Sequence, residues 1–420
     1  MRGAATGSRA WRWADRREEM KVGLVVPGGF DRGDRIIPAL HALTSELATR
    51  HEIHVFAAEG ESGPGRYARS GVDVHQLGGD SSTAAAAGWD RRGLRMARYA
   101  WRLAQAVDAA RASGPFDLFH AVWAGHTGLL ATLMARRLSL PLIVSIGGGE
   151  SVWLPDIRYG GAGSPLGRAR VGVTLRLAAA ITAGSAFATN FLPPRMTGQV
   201  RVIPLGIQTG PSGDPPVRPP GPPWRLLQVA DLNLVKDQET TLRALRQVVR
   251  RLGDVSMDFI GEDTRGGRLQ RMADTLGVGD RVRFLGFVPH QQLTAHYARA
   301  HLHVISSRYE SQGVSILEAA VSGIPTVGTA VGLLPTLAPS AARCVAPGDF
   351  TALADAICET LLDGAARDEM GRAARQWATS HDARWTAAEF EQVYASVLSR
   401  HDGIRRTSFT SSGSLDPGAG

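Results

Sequence analysis

Segments with the pattern of buried strands alternate with segments with the pattern of amphipathic helices along most of the chain, and this alternation limits the fold more than any other feature. The first series begins with KVGLVV at Lys21, and a second series of similar spacing begins with WRLLQVA at Trp224. Such alternation is typical of parallel sheets that helices cover on both faces. We therefore predict an α/β protein with two doubly wound, Rossmann-like domains.

A proline-rich segment separates the two series. Residues 211–223 contain seven prolines in thirteen positions. Proline has a fixed φ and no N–H to donate, so this segment interrupts both helix and sheet. We predict a stiff linker at 211–223, an N-terminal domain at 20–210 and a C-terminal domain at 224–378. We expect the helix at 379–400 to pack back on the N-terminal domain.

Composition excludes several classes of protein. The 420 residues include only two cysteines, Cys344 and Cys358, which excludes a disulfide framework or a cysteine-rich metal site and makes a cytoplasmic location the expectation. No apolar run is long enough to predict a transmembrane helix. Residues 1–19 and 401–420 lack hydrophobic periodicity, and we expect both to be disordered.

The chain is basic, with 47 Lys and Arg against 39 Asp and Glu and a formal net charge of +8. Only Lys21 and Lys236 are lysines, so a lysine stands out against an arginine background. The arginines are spread along the chain without interleaved aromatic residues, and we therefore do not predict nucleic-acid binding.

One predicted helix, RRGLRMARYAWRLAQAVDAARAS, carries four arginines on a single face. Two explanations remain open for this face: ordinary solvation of a charged helix, or peripheral contact with an anionic membrane. The four residues are Arg91, Arg95, Arg98 and Arg102.

Two glutamates flank the predicted start of a helix in the second domain. Glu310 lies on the loop after the strand HLHVISS, and Glu318 lies in the first turns of a helix that begins near Val314. Free N–H groups at a helix start, at the carboxyl end of a parallel strand, form an anion site. Carboxylates on either side would disfavour phosphate alone, but they suit the hydroxyl groups of sugars on either side of a phosphate.

This segment resembles the Glu-x7-Glu motif of glycosyltransferase family 4, retaining enzymes of the GT-B fold whose two Rossmann-like domains face each other across a cleft. The other stretches that match, in the family's order within roughly residues 21–400, are PGGF, FDLFHAVW, ITAGS, RVIPLGI, VADLNLVKDQETTLRAL and FIGEDTRGGRLQRMADTLGVGDRVRFLGFVPHQQL.

The resemblance implies transfer of a sugar from a nucleotide diphosphate donor to a hydroxyl acceptor, in the synthesis of a polysaccharide, a glycolipid or a small glycoside. No cofactor is expected. The chain has no Asp-x-Asp pair, which argues against a metal-dependent transferase of the other common fold, and we predict no metal requirement.

The resemblance also implies roles for individual residues. Glu310 would contact the donor sugar, Lys236 the diphosphate and Glu318 the ribose hydroxyls. The remaining donor-binding residues would be two glycines in the first βα turn, backbone at the base edge, and groups at the helix start. These are Gly28, Gly29, Phe287, Val288, Ser311, Gln312, Gly313 and Val314.

One departure from the family pattern concerns charge at the diphosphate. Asp231 stands where the family has an arginine, and an acid beside a diphosphate is unfavourable. Asp231 therefore either points away or accompanies a changed donor geometry, and Arg308 is our candidate for the replacement cation.

Two further departures leave the histidine near the reacting carbon unassigned. The family's His-x-His is His120-Ala121-Val122 here, and its frequent His-Gly is replaced within SIGGGE. His126 is our candidate catalytic histidine. His120, His126 and Glu150 are our candidates on the acceptor side.

Four alternative functions remain. Asp231 is compatible with a binding protein of the same fold that has lost turnover. A sugar phosphorylase or an epimerase could also use this fold. An NAD-dependent oxidoreductase would suit two doubly wound domains, but the chain lacks a strand-linked Gly-x-Gly-x-x-Gly followed by an acid.

Overall fold

The structure is a computed structural model that describes residues 19–30, 36–60, 63–78, 89–209 and 218–411, with the backbone alone described at 89–95 and 404–411. The first part of the proline-rich linker lies outside these ranges. The last part runs along the C-terminal domain, where the Arg218 guanidinium donates to the carbonyl of Ser322.

The N-terminal domain is built on an eight-stranded sheet in the described chain. Its strands are β1 (Lys21–Val26), β2 (Glu52–Ala57), β3 (Gly65–Arg69), β4 (Val72–Gln76), β5 (Leu118–Val122), β6 (Leu142–Ile146), β7 (Ala180–Ala183) and β8 (Val200–Val202). Their order is β3-β4-β2-β1-β5-β6-β7-β8. All pairs are parallel except β3 with β4.

Helices cover both faces of this sheet. They are α1 (Pro38–Leu47), α2 (Trp89–Ala110), α3 (His126–Leu138), α4 (Pro165–Leu177) and two short helices, α5 (Ala186–Thr189) and α6 (Pro194–Thr197). Side chains of α2, α3 and α4 form one hydrophobic layer against the sheet, and those of α1 belong to the layer on the other face. Because both faces are covered, the central strands are almost continuously apolar.

The C-terminal domain has a six-stranded, fully parallel sheet. Its strands are β9 (Trp224–Val229), β10 (Val255–Ile260), β11 (Val282–Phe284), β12 (Leu302–Ile305), β13 (Thr326–Thr329) and β14 (Ala342–Val345), in the order β11-β10-β9-β12-β13-β14. The helices are α7 (Gln238–Leu252), α8 (Arg268–Thr275), α9 (His290–Arg299), α10 (Val314–Val321), α11 (Leu334–Leu337), α12 (Phe350–Leu362) and α13 (Gly364–Ser380).

The last helix, α14 (Ala383–Ser411), crosses back to the N-terminal domain. It packs Phe390, Tyr394 and Val397, each no more than 1% exposed, against the side chains of β1 and β2. A helix that is anchored by such a face extends readily, since each further residue adds a backbone hydrogen bond. Residues 401–411 continue it, so the expectation of disorder from residue 401 is wrong for that stretch. Residues 412–420 and 1–18 lie outside the described residues.

Two of the four arginine side chains predicted to share a face of α2 are described. Arg98 is exposed, whereas Arg102 donates from Nη1 to the carbonyl of Leu77 at 2.7 Å and so turns toward the sheet edge. The side chains of Arg91 and Arg95 lie outside the described residues. Across the described ranges, no helix is both long and apolar enough to cross a membrane.

His120, which the sequence suggested as an acceptor-side residue, lies in β5 at the wall of the cleft between the two domains, where its ring is held in the core. It is fully buried, its Nδ1 lies 2.9 Å from the Tyr394 hydroxyl, and its Nε2 lies 2.7 Å from the Ser145 Oγ. Burial lowers the pKa of His120 to about 3. The neutral ring therefore ties β5, β6 and α14 together, and both of its nitrogens already have partners.

The packing of α14 generates the first prediction. Phe390→Ala should lower the free energy of unfolding by about 3 to 5 kcal/mol, because it removes a buried ring and leaves a cavity between α14 and the sheet. Ser396→Ala, on the exposed side of the same helix, should change it by less than about 0.5 kcal/mol. Urea unfolding checks both values, and equal stability of the two variants would show that α14 is not packed on the sheet.

The burial of His120 generates a second prediction. An unfolded histidine takes up a proton below about pH 6.5, whereas folded His120 stays neutral down to about pH 3. Its contribution therefore makes the protein less stable as pH falls through this window, by at most about 1.4 kcal/mol per pH unit. His120→Gln should flatten the pH dependence of urea unfolding by about one proton. An unchanged slope would mean that the ring is charged in the folded state.

Candidate active site in the interdomain cleft

A cavity of about 500 Å³ lies between the two domains. The first half of α1 and the carboxyl ends of β5, β6 and β7 line it from the N-terminal domain, and the loops after β9, β10 and β12 line it from the C-terminal domain. Ligands of doubly wound folds bind at such carboxyl ends. The residues from the sequence analysis on its wall are His120, Asp231, Lys236, Phe287, Val288, Glu310, Ser311, Gln312, Gly313, Val314 and Glu318.

Lys236 and Glu310 form an ion pair at this cavity. The Lys236 Nζ lies 2.5 Å from Oε1 of Glu310, and the Ser307 Oγ donates to the same oxygen at 2.7 Å. The Lys236 backbone N–H donates to the Oδ1 of Asn233, which fixes the loop before α7. Among the described residues that line this cavity, Lys236 is the only lysine or arginine.

Helix α10 begins at the wall of the same cavity. Gly313 precedes it with φ +87°, a left-handed conformation that favours glycine. No side chain caps the first turn, so N–H groups at this end are available to a ligand. Together with Lys236, the helix start supplies positive potential where an anion would bind.

Glu318 is held by two residues that the sequence analysis missed. The Tyr297 hydroxyl donates to its Oε2 at 2.8 Å, and the His290 Nδ1 lies 3.3 Å from its Oε1. The hydrogen bond to Glu318 raises the pKa of His290. His290 is the first residue of α9 and lies on the cavity wall. Its place in FVPHQQL, next to the predicted base-binding backbone, was the signal that could have found it.

The N-terminal domain holds the loop that carries Glu310. The Tyr309 hydroxyl donates to the Gly148 carbonyl at 3.1 Å, and the Ser311 Oγ donates to the Gly147 carbonyl at 2.6 Å. Gln312 exchanges two hydrogen bonds with the backbone of Leu205, at 2.7 and 2.8 Å. The side chains of Ser311 and Gln312 are therefore committed to the domain contact, and their carbonyls accept from Ser185 and Leu333, so a ligand would meet their backbone N–H groups.

A second cavity of about 670 Å³ adjoins the first and shares Lys236, Glu310 and Ser311 with it. Most of its remaining wall comes from the N-terminal domain, including the glycine loop at 147–149 and the starts of α3 and α4. The structure places His126, the first residue of α3, and Glu150 on this wall.

Glu150 shapes the glycine loop. Its Oε1 accepts hydrogen bonds from the N–H groups of Ala124 and Gly147, both at 3.2 Å, and its Oε2 accepts from Gly148 at 2.8 Å. Burial raises the pKa of Glu150, against the opposing effect of these hydrogen bonds. The carboxylate thus fixes the loop whose carbonyls accept from Tyr309 and Ser311.

Trp123 explains why the family histidine is missing from the glycine loop. It lines both cavities with φ +75°, an uncommon conformation for a bulky residue that is often found at functional sites. A Cβ at Gly147 would lie 2.3 Å from the Trp123 ring. No side chain fits at that position while the indole is there.

Gly28 and Gly29 are not among the residues that line the cavity, and their assignment to donor binding stays a prediction. Gly29 has φ +81°, and a Cβ there would lie 2.5 Å from Cγ1 of Ile37. The Gly29 carbonyl accepts from the Ile37 N–H at 3.2 Å. The turn therefore needs glycine so that Ile37 can reach the cavity wall.

The prediction that Arg308 replaces the family arginine at position 231 is wrong. Asp231 lines the first cavity, but its Oδ1 accepts from the Glu262 N–H at 3.0 Å, so the carboxylate is turned onto the neighbouring loop. Arg308 lines neither cavity. Its guanidinium pairs with Asp156 of the N-terminal domain at 2.5 Å, and it is therefore not the replacement cation.

Family models match both domains. Residues 36–206 match the glycosyl transferase 4-like domain, and residues 214–377 match the glycosyl transferases group 1 domain. Among curated proteins, the chain is 33% identical over 152 residues to the GDP-mannose-dependent alpha-(1-6)-phosphatidylinositol monomannoside mannosyltransferase of Mycolicibacterium smegmatis, covering 34% of this chain and 40% of that protein. It is 31% identical over 186 residues to the D-inositol 3-phosphate glycosyltransferase of Corynebacterium aurimucosum, covering 41% and 42%. The chain thus spans less than half the length of these relatives.

Solved structures share the fold. The sucrose-phosphate synthase of Thermosynechococcus elongatus superimposes with a TM-score of 0.71 at 18% identity over 91% of this chain and 100% of that chain. HepE of Anabaena, in complex with UDP and glucose, superimposes with a TM-score of 0.64 at 19% identity over 90% and 100%. Since both domains match their family models and the architecture is that of these structures, the chain belongs to the family 4-type glycosyltransferases of the GT-B fold.

Proposed function

We propose that the protein is a retaining glycosyltransferase that moves a sugar from a nucleotide diphosphate donor to a hydroxyl group of an acceptor. The Lys236–Glu310 pair carries the proposal, because it lies where the two cavities meet. The first cavity, at about 500 Å³, is within the size range of small-molecule sites. Two substrates in the two cavities would therefore meet at this pair.

The first cavity is the proposed donor site. The diphosphate would bind at the start of α10 and at Lys236, where positive potential stabilises the charge that develops on the leaving group. Glu310 would accept hydrogen bonds from the sugar, and Glu318 from the ribose. Phe287 and Val288 lie on the same wall, and their backbone would meet the edge of the base.

Retention follows from a reaction on one face of the sugar. The bond from the anomeric carbon to the phosphate oxygen breaks, the bond to the acceptor oxygen forms on the same face, and the acceptor proton passes to the leaving phosphate. No dedicated base is needed. The positions of Glu310, paired with Lys236, and of Glu150, bound by three N–H groups, support this route.

We propose that the reaction is independent of metal. Lys236 and the helix start supply the positive charge that a metal would otherwise provide. Two observations support this: the chain has no Asp-x-Asp pair, and the described part of the chain contains no cluster of three or more His, Cys, Asp and Glu arranged to hold a metal ion.

The second cavity is the proposed acceptor site. Glu150 would act there by positioning the glycine loop, and His126 would line the path of the acceptor at the start of α3. We retain a cytoplasmic location and membrane contact through the Arg91–Arg102 face as predictions. Of that face, Arg98 is the residue that is described as exposed.

Asp231 favours one alternative, a donor-binding protein with weak turnover. Asp231 lines the proposed donor site where the family has an arginine, and its carboxylate, turned onto the loop of Glu262, supplies no positive charge to a diphosphate. Donor binding without transfer to any acceptor would support this alternative.

The proposed donor site predicts stabilisation by one nucleoside diphosphate. In a thermal-shift screen of UDP, GDP, ADP and TDP, the matching nucleotide should raise the melting temperature by mass action. Lys236→Ala should weaken that shift, because it removes the diphosphate cation. Glu310→Gln should lower kcat of transfer or donor hydrolysis by about a hundredfold or more.

Arg176→Gln is the control for loss of a cation, since Arg176 is exposed and lines neither cavity. It should retain the nucleotide shift. If none of the four nucleotides stabilises the protein at millimolar concentration, the transferase proposal fails.

His290 predicts a pH dependence of nucleotide binding. Its pKa is raised by the hydrogen bond to Glu318, so it takes up a proton at a higher pH than an ordinary histidine and then adds positive charge beside the nucleotide. Affinity for the matching nucleoside diphosphate should therefore increase from about pH 8 to pH 6 more steeply in the wild type than in His290→Asn. Calorimetry at each pH compares the two slopes, and identical slopes would show that His290 does not face the nucleotide.

A further inference from the structure

We infer that the acceptor carries an anionic group, such as a phosphate on a polyol, and that Arg170 binds this group in the second cavity. This inference rests on the proposed function and names the chemical class of its acceptor. Arg170 lies on α4 and forms part of the wall that the cavity shares with the glycine loop.

Arg170 has no countercharge among the described residues. It takes part in none of the ion pairs or side-chain hydrogen bonds found within the described ranges, whereas neighbouring arginines are committed: Arg168 donates to the Ala162 carbonyl at 2.8 Å, and Arg308 pairs with Asp156. An arginine on a cavity wall without a partner is suited to bidentate binding of phosphate or carboxylate.

The acidic residues of this cavity do not neutralise Arg170. Glu310 is paired with Lys236, and Glu150 is bound by three backbone N–H groups of the glycine loop. Lys236 balances Glu310, and Glu150 is already solvated by the backbone, so the charge of Arg170 is left to be met by a ligand.

Tyr159 and two helix starts add a donor and positive potential to the same wall. Burial raises the pKa of Tyr159 to about 12, and the charges of Glu310 and Glu150 add to this effect, so its hydroxyl keeps its proton. The cavity also includes His126 and Thr127 at the start of α3 and, at the start of α4, the capping Ser164 and Gly167. The dipoles of these two helices, each 13 residues long, favour negative charge. Arg170, Tyr159 and the two helix starts would together surround an anion.

The two ends of the cavity define how the acceptor would lie. Its hydroxyl group would approach Glu310 and Lys236, where the second cavity meets the donor site, and its anionic group would bind at Arg170. The same chemistry is found in a soluble sugar or inositol phosphate and in the phosphodiester of a lipid headgroup. The experiment must therefore separate these two sources.

The variants are Arg170→Gln, which removes the positive charge, and Arg170→Lys, which keeps the charge but lacks the planar guanidinium group that binds an anion through two N–H donors. Arg176→Gln is the matched control, because Arg176 is exposed on the same helix and lines neither cavity. Inorganic phosphate and myo-inositol 1-phosphate are titrated by calorimetry into protein saturated with the nucleoside diphosphate that stabilises it, so that the diphosphate site is already filled. Neutral myo-inositol is the ligand control.

Both anions should bind the wild type more tightly than myo-inositol does. Arg170→Gln should weaken their binding by about tenfold to a hundredfold, Arg170→Lys by less, and Arg176→Gln not at all. Equal binding of myo-inositol and its phosphate, or unchanged binding to Arg170→Gln, would overturn the inference. Melting temperatures establish that each variant is folded.

Transfer assays with the matching nucleotide sugar then separate the two sources. Myo-inositol 1-phosphate represents the soluble acceptor, and phosphatidylinositol in phosphatidylcholine vesicles represents the lipid headgroup. Whichever of the two compounds accepts the sugar should have a higher KM with Arg170→Gln than with the wild type. If a nucleoside diphosphate binds but no anion does, the inference fails while the proposed function stands. If no nucleoside diphosphate binds, both fail.

Discussion

The hydrogen bonds between the two domains at residues 307–313 determine the geometry of the site. Tyr309 and Ser311 donate to carbonyls of the glycine loop, and Ser185 of the N-terminal domain donates to the Ser311 carbonyl at 2.5 Å. Glu310 lies between these anchors. Lys236 and Glu310 both belong to the C-terminal domain, so their ion pair is internal to that domain. The domain contact instead sets where this pair lies relative to the glycine loop and the second cavity.

This constraint explains how carboxylates can stand beside a proposed phosphate site. Before a ligand binds, Glu310 is compensated by Lys236, and Glu318 is compensated by His290 and Tyr297. Compensation avoids the cost of leaving buried charges unpaired. A sugar hydroxyl that donates to Glu310 would leave more of the Lys236 charge for the diphosphate, so the pair would serve both ends of the same donor.

Local sequence patterns predicted the features that depend on neighbours in the chain. The alternation of strands and helices predicted two doubly wound domains, and the motifs added the GT-B family, which the fold and the family models confirm. The start of α10 near Val314 was correct as well. Backbone propensity and hydrophobic periodicity predict these features because both depend on residues that are close together in the chain. The features that the sequence did not predict depend on partners that are distant in the chain. Burial keeps His120 neutral, and Tyr394, which contacts it, lies 274 positions away. Arg308 pairs with Asp156 across 152 positions. Neither partner leaves a local signal.

The region near the reacting carbon is where this chain departs furthest from the family pattern, and one residue accounts for the departure. The positive φ of Trp123 places its ring against the glycine loop and excludes any side chain at Gly147. A histidine at that position and the tryptophan are therefore mutually exclusive. An acceptor in the second cavity would meet an indole, backbone carbonyls and Tyr159, so its orientation would depend on shape and on the charge of Arg170 rather than on an imidazole of the glycine loop.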